Sequence, residues 1–326
     1  MSEANPPGIP ERFFERLRQI VPAGQYHRVV DSFSKQRMTC FRLNPLLGER
    51  EAVVTELKRL GIHLNAVGWY PDRSAFWIRE QDRKALLGSD AYRAGKLYVQ
   101  NLSSMVPPLV LDPQPGERIL DLTAAPGSKT TQMAGLMQNE GEIIAVEKVR
   151  NRFFKLLRNL KMQGVQNVQA LQTNGERAWR DWPESFDRVL LDAPCSTEGR
   201  IDAGDPHTYK YWSERKIKEM TRKQKRLLFS AVLSTRPGGT LVYSTCSFAP
   251  EENEAIVQHA LKKFGDALEI EPIDLDFDNE QPALTEWKDR PFAPEVRHAR
   301  RILPTPAMEG FFVCRFRKIH GVAREP

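Results

Sequence analysis

From residue 99 onward the chain alternates apolar runs with amphipathic stretches, and this alternation constrains the fold more than any other feature. "ERILDLTAAPGSKTTQMAGLM" (117–137) reads as strand, tight loop and helix, and "EIIAVEKVRNRFFKLLRNLKMQG" (142–164) repeats that order. Further strands are expected at 168–174, 187–194 and 238–247, and a late one at 310–318. Repeated β–α units imply an α/β fold with a mostly parallel, doubly wound sheet. Its binding crevice should lie at the C-terminal ends of the strands.

The first hundred residues follow a different pattern. Helices are expected at 10–21, 24–36 and 49–61, a strand at 38–44, and a hairpin-like pair of short strands over 67–80. The expected division is a small helical and α+β region over 1–97, a large α/β domain over 98–318, and a tail over 319–326. A chain of 326 residues is long enough for one large and one smaller domain. Mean hydropathy is −0.50 and no apolar run approaches the ~20 residues that span a bilayer, so no membrane partner is expected. No basic leader followed by an apolar stretch is read at the start.

Four cysteines, Cys40, Cys195, Cys246 and Cys314, are widely spaced with no C-x-x-C pair. That spacing argues against a disulfide framework and a structural zinc site, and for a reducing, cytoplasmic environment with no metal. Net charge is +6, and residues 214–226, "ERKIKEMTRKQKR", hold seven Lys/Arg against two Glu. Segments 147–161 and 297–301 are basic as well. Each alone reads as a solvated helix face; three around one domain point to a polyanionic partner.

"DLTAAPGSKTT" ends like a phosphate loop but is not one. Ser128 separates Gly127 from Lys129, and the upstream glycine of that motif is missing, as is the G-x-G-x-x-G of dinucleotide sites. What remains is a strand ending in Asp121, a turn with Pro126 and Gly127, and a helix start. The second strand ends on Glu147, where a carboxylate can accept hydrogen bonds from both hydroxyls of a ribose. This suits an adenosyl ligand without pyrophosphate, namely S-adenosylmethionine.

"VLLDAPCSTEGR" (189–200) stops an apolar run on Asp192 and Cys195, bringing a carboxylate and a thiol to a strand end. From these residues alone Cys195 reads as a nucleophile, a metal ligand or a small buried residue, and buried cysteines are common enough to put the last reading ahead.

"DLTAAPGSKT", "LLDAPCS", "LVYSTCSFAPEEN" and "GFFVCRF" resemble, in order and spacing, the RsmB/Nop–Sun family of RNA cytosine-5 methyltransferases. "FRLNP" (41–45) and "YVQNLSSM" (98–105) resemble upstream segments of the same family. The resemblance implies a class I Rossmann-like methyltransferase domain preceded by a small RNA-binding domain. It implies Cys246 as the thiol that adds to C6 of cytosine, so that C5 can take a methyl group, and Cys195 as the thiol that assists release. Asp192 would face the base, and Lys129 would lie close to base and nucleophile. Thr123, Ala124, Ala125, Pro126, Gly127, Ser128 and Lys129 would wrap the methionine part of the donor, with Asp192 beside them. Glu147 would hold the ribose and Asn174 would lie near the adenine, where the family usually has Asp. Arg200, Pro206 and Trp212 line up with a substrate-side loop.

The implied partner is RNA, with ribosomal RNA favoured over transfer RNA, and the implied state a monomer. A DNA cytosine-5 methyltransferase would use the Pro-Cys thiol and leave the Thr-Cys motif unexplained. A catalytically minor RNA-binding assembly factor would not need Asp192, Cys195, Cys246 and Lys129 together.

Overall fold

The computed structural model describes residues 5–322. Residues 1–4, and with 323–326 half of the expected tail, lie outside the described residues.

The first part of the chain contributes α1 (Glu11–Ile20), α2 (Ala23–Ser32), β1 (Thr39–Leu43), α3 (Arg50–Arg59), β2 (Asn65–Ala66), β3 (Ala75–Ile78), α4 (Arg83–Gly88), α5 (Asp90–Arg93) and β4 (Leu97–Val99). The four strands form an antiparallel sheet in the order β2-β3-β1-β4. Val53 and Leu57 of α3 pack on it with Phe41, Phe76, Ile78 and Leu97. The expected hairpin is present, but its first strand is two residues long at 65–66. Pro71 has no N–H to give a ladder and Asp72 takes a φ of 52°, so residues 71–73 turn instead of pairing. Strand β4 runs to Val99 on β1, so the small sheet extends past residue 97.

The first two helices do not pack on that sheet. Phe13, Phe14, Leu17 and Ile20 recur at helical spacing and, with Val29 and Phe33, meet Ile201, Tyr209, Phe248 and Trp287 of the large domain.

The large domain runs through α6 (Leu102–Leu111), β5 (Arg118–Asp121), α7 (Ser128–Leu136), β6 (Glu142–Val146), α8 (Arg150–Met162), β7 (Val168–Leu171), α9 (Ala178–Asp181) and β8 (Phe186–Asp192). It continues through α10 (Glu214–Ser234), β9 (Thr235–Thr245), α11 (Glu254–Phe264), β10 (Leu268–Glu271), β11 (Glu280–Pro282), β12 (Glu286–Trp287), β13 (Arg290–Pro291), β14 (Arg300–Ile302) and β15 (Phe311–Lys318).

The sheet order is β11-β14-β15-β9-β8-β5-β6-β7, with β10 also on β15. Strands β5 to β9 are mutually parallel, and β15 lies antiparallel on β9. Each strand expected in this domain is present. The inner parallel strands are buried on both faces, which is why 143–146 and 189–191 read as unbroken apolar runs. From β5 the chain winds outward to β6 and β7, then crosses back to β8 and β9. The C-terminal ends of β5 and β8 therefore flank a topological switch point, where a crevice opens.

Candidate active site

A cavity of about 760 Å³ occupies that crevice, within the range of small-molecule sites. Its walls include Thr123, Ala124, Ala125, Pro126, Ser128, Lys129, Glu147, Asn174, Asp192, Cys195 and Cys246. Gly127 is not in the wall. It takes a φ of 105° at the start of α7, and a Cβ there would come within 3.0 Å of Leu156 Cδ1. Its role in the fold is the sharp turn and the close approach of α8.

Asp192 ends β8, and its two oxygens have separate partners. Oδ1 accepts from Ser244 Oγ at 2.8 Å, and Oδ2 accepts from Lys129 Nζ at 2.7 Å. Lys129 sits in the first turn of α7, is 7% exposed, and also donates to Ser104 Oγ at 2.7 Å. The face of Phe311 lies 5.7 Å from its ammonium. A buried cation is thus held by one carboxylate, one hydroxyl and one ring. Thr123 Oγ1 donates to the Asp192 carbonyl at 2.8 Å and ties the loop after β5 to the end of β8.

The two cysteine sulfurs lie 3.2 Å apart, half-buried and not bonded. Contact with the Cys246 sulfur and burial push the Cys195 thiol well above its ordinary range. Cys195 therefore keeps its proton and can donate it toward Cys246. Cys40 and Cys314 are buried in strands β1 and β15 and away from the cavity wall.

On the other side of the cavity, Glu147 is 4% exposed and accepts from Val149 N at 2.7 Å through Oε1. Arg152 Nη1 lies 3.5 Å from its Oε2, and Arg152 Nη2 donates to the Ala125 carbonyl at 2.6 Å. Asp121, at the end of β5, accepts from Thr130 Oγ1 at 2.7 Å, and burial pushes its carboxyl up to about 6. Asn174 Oδ1 accepts from Glu176 N at 3.2 Å, so its acceptor already serves the local turn. This wall thus offers a buried carboxylate at Glu147 and a neutral amide at Asn174.

Of the expected substrate-side loop, Arg200 reaches the cavity wall, whereas Trp212 turns away. The Trp212 indole N–H donates to Glu198 Oε1 at 2.7 Å, and its ring meets Phe13 of α1 edge-on. Sequence reasoning passed over Ser104, Ser244, Phe311 and Arg42. "FRLNP", "YVQNLSSM" and "GFFVCRF" are the segments that carry three of them, and that resemblance was the available signal. Arg42 is 1% exposed and reaches from β1 to the first turn of α7.

Among the described residues no helix is long and apolar enough to cross a membrane. Among them also no group of three His, Cys, Asp or Glu is placed to hold a metal ion.

The strand order, the crevice at the switch point and the acidic end of the second strand define a Rossmann-like methyltransferase fold. The 16S rRNA methyltransferase RsmB/F family model matches residues 108–317, and the chain belongs to that family. It is 38% identical over 319 residues to Ribosomal RNA small subunit methyltransferase F of Vibrio parahaemolyticus, covering 96% of this chain and 64% of that protein. To the same-named protein of Cronobacter sakazakii it is 36% identical over 326 residues, covering 98% and 65%. The chain thus spans just under two thirds of the length of these relatives. Among solved structures, a methyltransferase homolog from Pyrococcus horikoshii is 32% identical, with a TM-score of 0.83, covering 98% of this chain and 100% of that one.

Proposed function

We propose that the protein is an S-adenosylmethionine-dependent RNA cytosine-5 methyltransferase that acts on ribosomal RNA in the cytoplasm as a monomer. The observation that carries the reading is the pair of sulfurs 3.2 Å apart beside the Asp192–Lys129 ion pair. A methyltransferase acting on an amine or hydroxyl has no use for two thiols at the ends of two adjacent strands. The relatives' names support ribosomal RNA as the substrate, with transfer RNA as the alternative to be tested.

Thr123 to Pro126, with Ser128 and Lys129, would hold the methionine part of the donor, Glu147 the ribose hydroxyls, and Asn174 the adenine side. Bound there, S-adenosylmethionine supplies an electrophilic methyl group. Cys246 adds through Sγ to C6 of a flipped cytosine, and C5 becomes electron-rich. Lys129 orients Asp192 through the 2.7 Å ion pair, and Asp192 accepts from the N4 amino group on the N3/N4 edge of the base. The Lys129 ammonium offsets the negative charge that thiol addition puts on the ring. Cys195 holds its proton through the addition, hydrogen-bonded to the attacking sulfur. Once C5 has taken the methyl group, the C5 proton passes to solvent water, the C5–C6 double bond re-forms, and Cys195 hydrogen-bonds the Cys246 thiolate as it leaves C6. The exposed cations Arg215, Lys218 and Arg222 on α10, with the small N-terminal sheet, would grip RNA phosphates.

The test uses wild type, Cys246→Ala and Cys195→Ala with labelled S-adenosylmethionine on ribosomal and transfer RNA lacking the modification. Cys246→Ala should transfer no methyl group and form no denaturant-resistant adduct, whereas Cys195→Ala should accumulate adduct. Adduct loss in Cys195→Ala with an active Cys246→Ala would invert the two roles. Label in transfer RNA alone would replace the substrate.

A further inference from the structure

Behind the two cysteines lies a buried carboxyl pair that the reaction above does not use. Glu252 is 0% exposed and Glu198 is 2% exposed. Each comes from one cysteine loop and holds the other. Glu252, in the segment after Cys246, accepts from Ser196 N at 2.9 Å and from Ser196 Oγ, and so fixes the residue next to Cys195. Glu198, just after Cys195, accepts from Phe248 N at 3.0 Å and contacts Ser247 Oγ at 3.1 Å, and so fixes the two residues after Cys246. Gly199 N donates to the Cys246 carbonyl at 2.9 Å. Ser247 Oγ also lies 2.6 Å from Glu252 Oε2 and joins the two carboxyl groups.

The protons of this cluster can be counted. Ser196 Oγ touches Glu252 Oε2 and, at 3.0 Å, Ser247 Oγ; Ser247 Oγ touches both carboxyl groups. These four contacts have only two hydroxyl protons between them. With both glutamates ionised, the single Ser247 proton satisfies one carboxylate and leaves the other facing a lone pair. One proton held by the pair removes that conflict.

We propose that Glu198 and Glu252 are positioning residues that share one proton through Ser247, cross-brace the two cysteine loops and thereby set the distance between Cys195 and Cys246. Arg16 and Glu251 face Glu198, and Cys195 faces Glu252. Tyr243 donates to the Glu252 carbonyl, and beyond Phe248 the Arg301–Glu254 pair closes the cluster. Burial and the neighbouring Glu198 push Glu252 up to about 7, and burial raises Glu198 too, so the shared proton persists toward neutral pH. Its loss at higher pH leaves two carboxylates on one hydroxyl, and the brace loosens. The catalytic consequence rests on the two-thiol reading; the spacing of the thiols does not.

The full chain is equilibrated with reduced and oxidised glutathione from about pH 6 to about pH 9. Oxidised glutathione takes two electrons from Cys195 and Cys246; both thiol protons leave, one S–S bond forms, and two glutathione thiols are released. The disulfide fraction, read by mass spectrometry after alkylation, reports how closely the thiols are held. Glu252→Gln should match wild type at the acid end and exceed it about fivefold at the alkaline end, because the amide stays neutral. Ser247→Ala should lower the coupling about tenfold at the acid end, the loss of one charge-assisted hydrogen bond, and less at the alkaline end where the wild-type brace is already loosened. Glu252→Ala, which also frees Ser196, should lower it at least as far. If Glu252→Ala does not fold, Ser247→Ala and Glu252→Gln carry the test. Unchanged coupling in Ser247→Ala, or parallel pH profiles for wild type and Glu252→Gln, would overturn the brace. The expected pattern supports it even if wild type transfers no methyl group, a result that would count against the functional reading alone.

Discussion

Arg42 Nη2 donates to Thr131 Oγ1 at 2.8 Å and to the Ser128 carbonyl at 3.1 Å, so a strand of the small sheet is fastened to the helix that begins at the candidate donor loop. Its Nε donates to Gln100 Oε1 at 2.9 Å. Burial lowers the guanidinium from its ordinary value, and these hydrogen bonds, with the Tyr98 ring 5.2 Å away, offset the cost of keeping it charged.

Arg42→Met should therefore do two things. It leaves Gln100 Oε1 without its charged donor and removes the guanidinium from Thr131 Oγ1 and the Ser128 carbonyl, which costs about 2–4 kcal/mol of stability. It also frees the first turn of α7, and donor affinity should fall about tenfold as the loop loses its preset geometry. Urea unfolding and calorimetric titration with S-adenosylmethionine read the two effects separately. A stability loss with unchanged donor affinity would confine Arg42 to the joint between the domains.

The four thiols should differ sharply toward iodoacetamide. Burial pushes Cys40 up to about 12, burial also raises Cys314 well above its ordinary value, and the neighbouring sulfur and burial raise Cys195. The thiolate is the reactive species, so near neutral pH the label should enter Cys246 at least about tenfold faster than any other cysteine. Peptide mapping over a time course gives the order. First labelling at Cys195 would mean that the proton lies on the other sulfur.

Glu147→Gln tests the ribose assignment without changing side-chain volume. The amide keeps one acceptor for Val149 N but gives up the charge, so donor affinity should drop about ten- to hundredfold, as for lost hydrogen bonds to a charged group. The cysteine labelling order should stay as in wild type, because Glu147 lies across the cavity from both sulfurs. A donor affinity within about twofold of wild type would move the ribose elsewhere.

The parallel strands were legible because burial on both faces writes an unbroken apolar run, as in 189–191, and because each run is followed by an amphipathic helix. Strands β10 to β14 were not. They are two to four residues long, and their pairing is decided by neighbours such as β15 rather than by any pattern of their own. In the site, Asp192 and Cys195 were legible because a strand stops on them, and Glu147 because it closes the second strand. Ser104 and Ser244 were not, since a serine acquires meaning only from the carboxylate or ammonium that tertiary structure brings to it. Glu198 and Glu252 lie in separate loops, and only the pairing of β8 with β9 brings them together. Asn174 was singled out by position, yet the structure engages its oxygen in a turn, a use that the family pattern does not reveal.

The buried glutamate pair should also set how stability varies with pH. Below the ordinary glutamate value of 4.5 the Glu252 carboxyl is protonated in both folded and unfolded chains. As pH rises, the unfolded chain releases this proton first, while the folded protein keeps it until about 7. In that window the folded state binds more protons, so this contribution to stability falls with pH and is fully lost above about 7. Its size is on the order of 3 kcal/mol, at about 1.4 kcal/mol for each pH unit of the window. Glu252→Gln cannot ionise, so its stability relative to wild type should rise through the window by that amount and then level off. Denaturant unfolding of both proteins on either side of the window measures the difference. A constant offset would mean that Glu252 takes up its proton alike in the folded and unfolded chains, and that Ser247 is not shared.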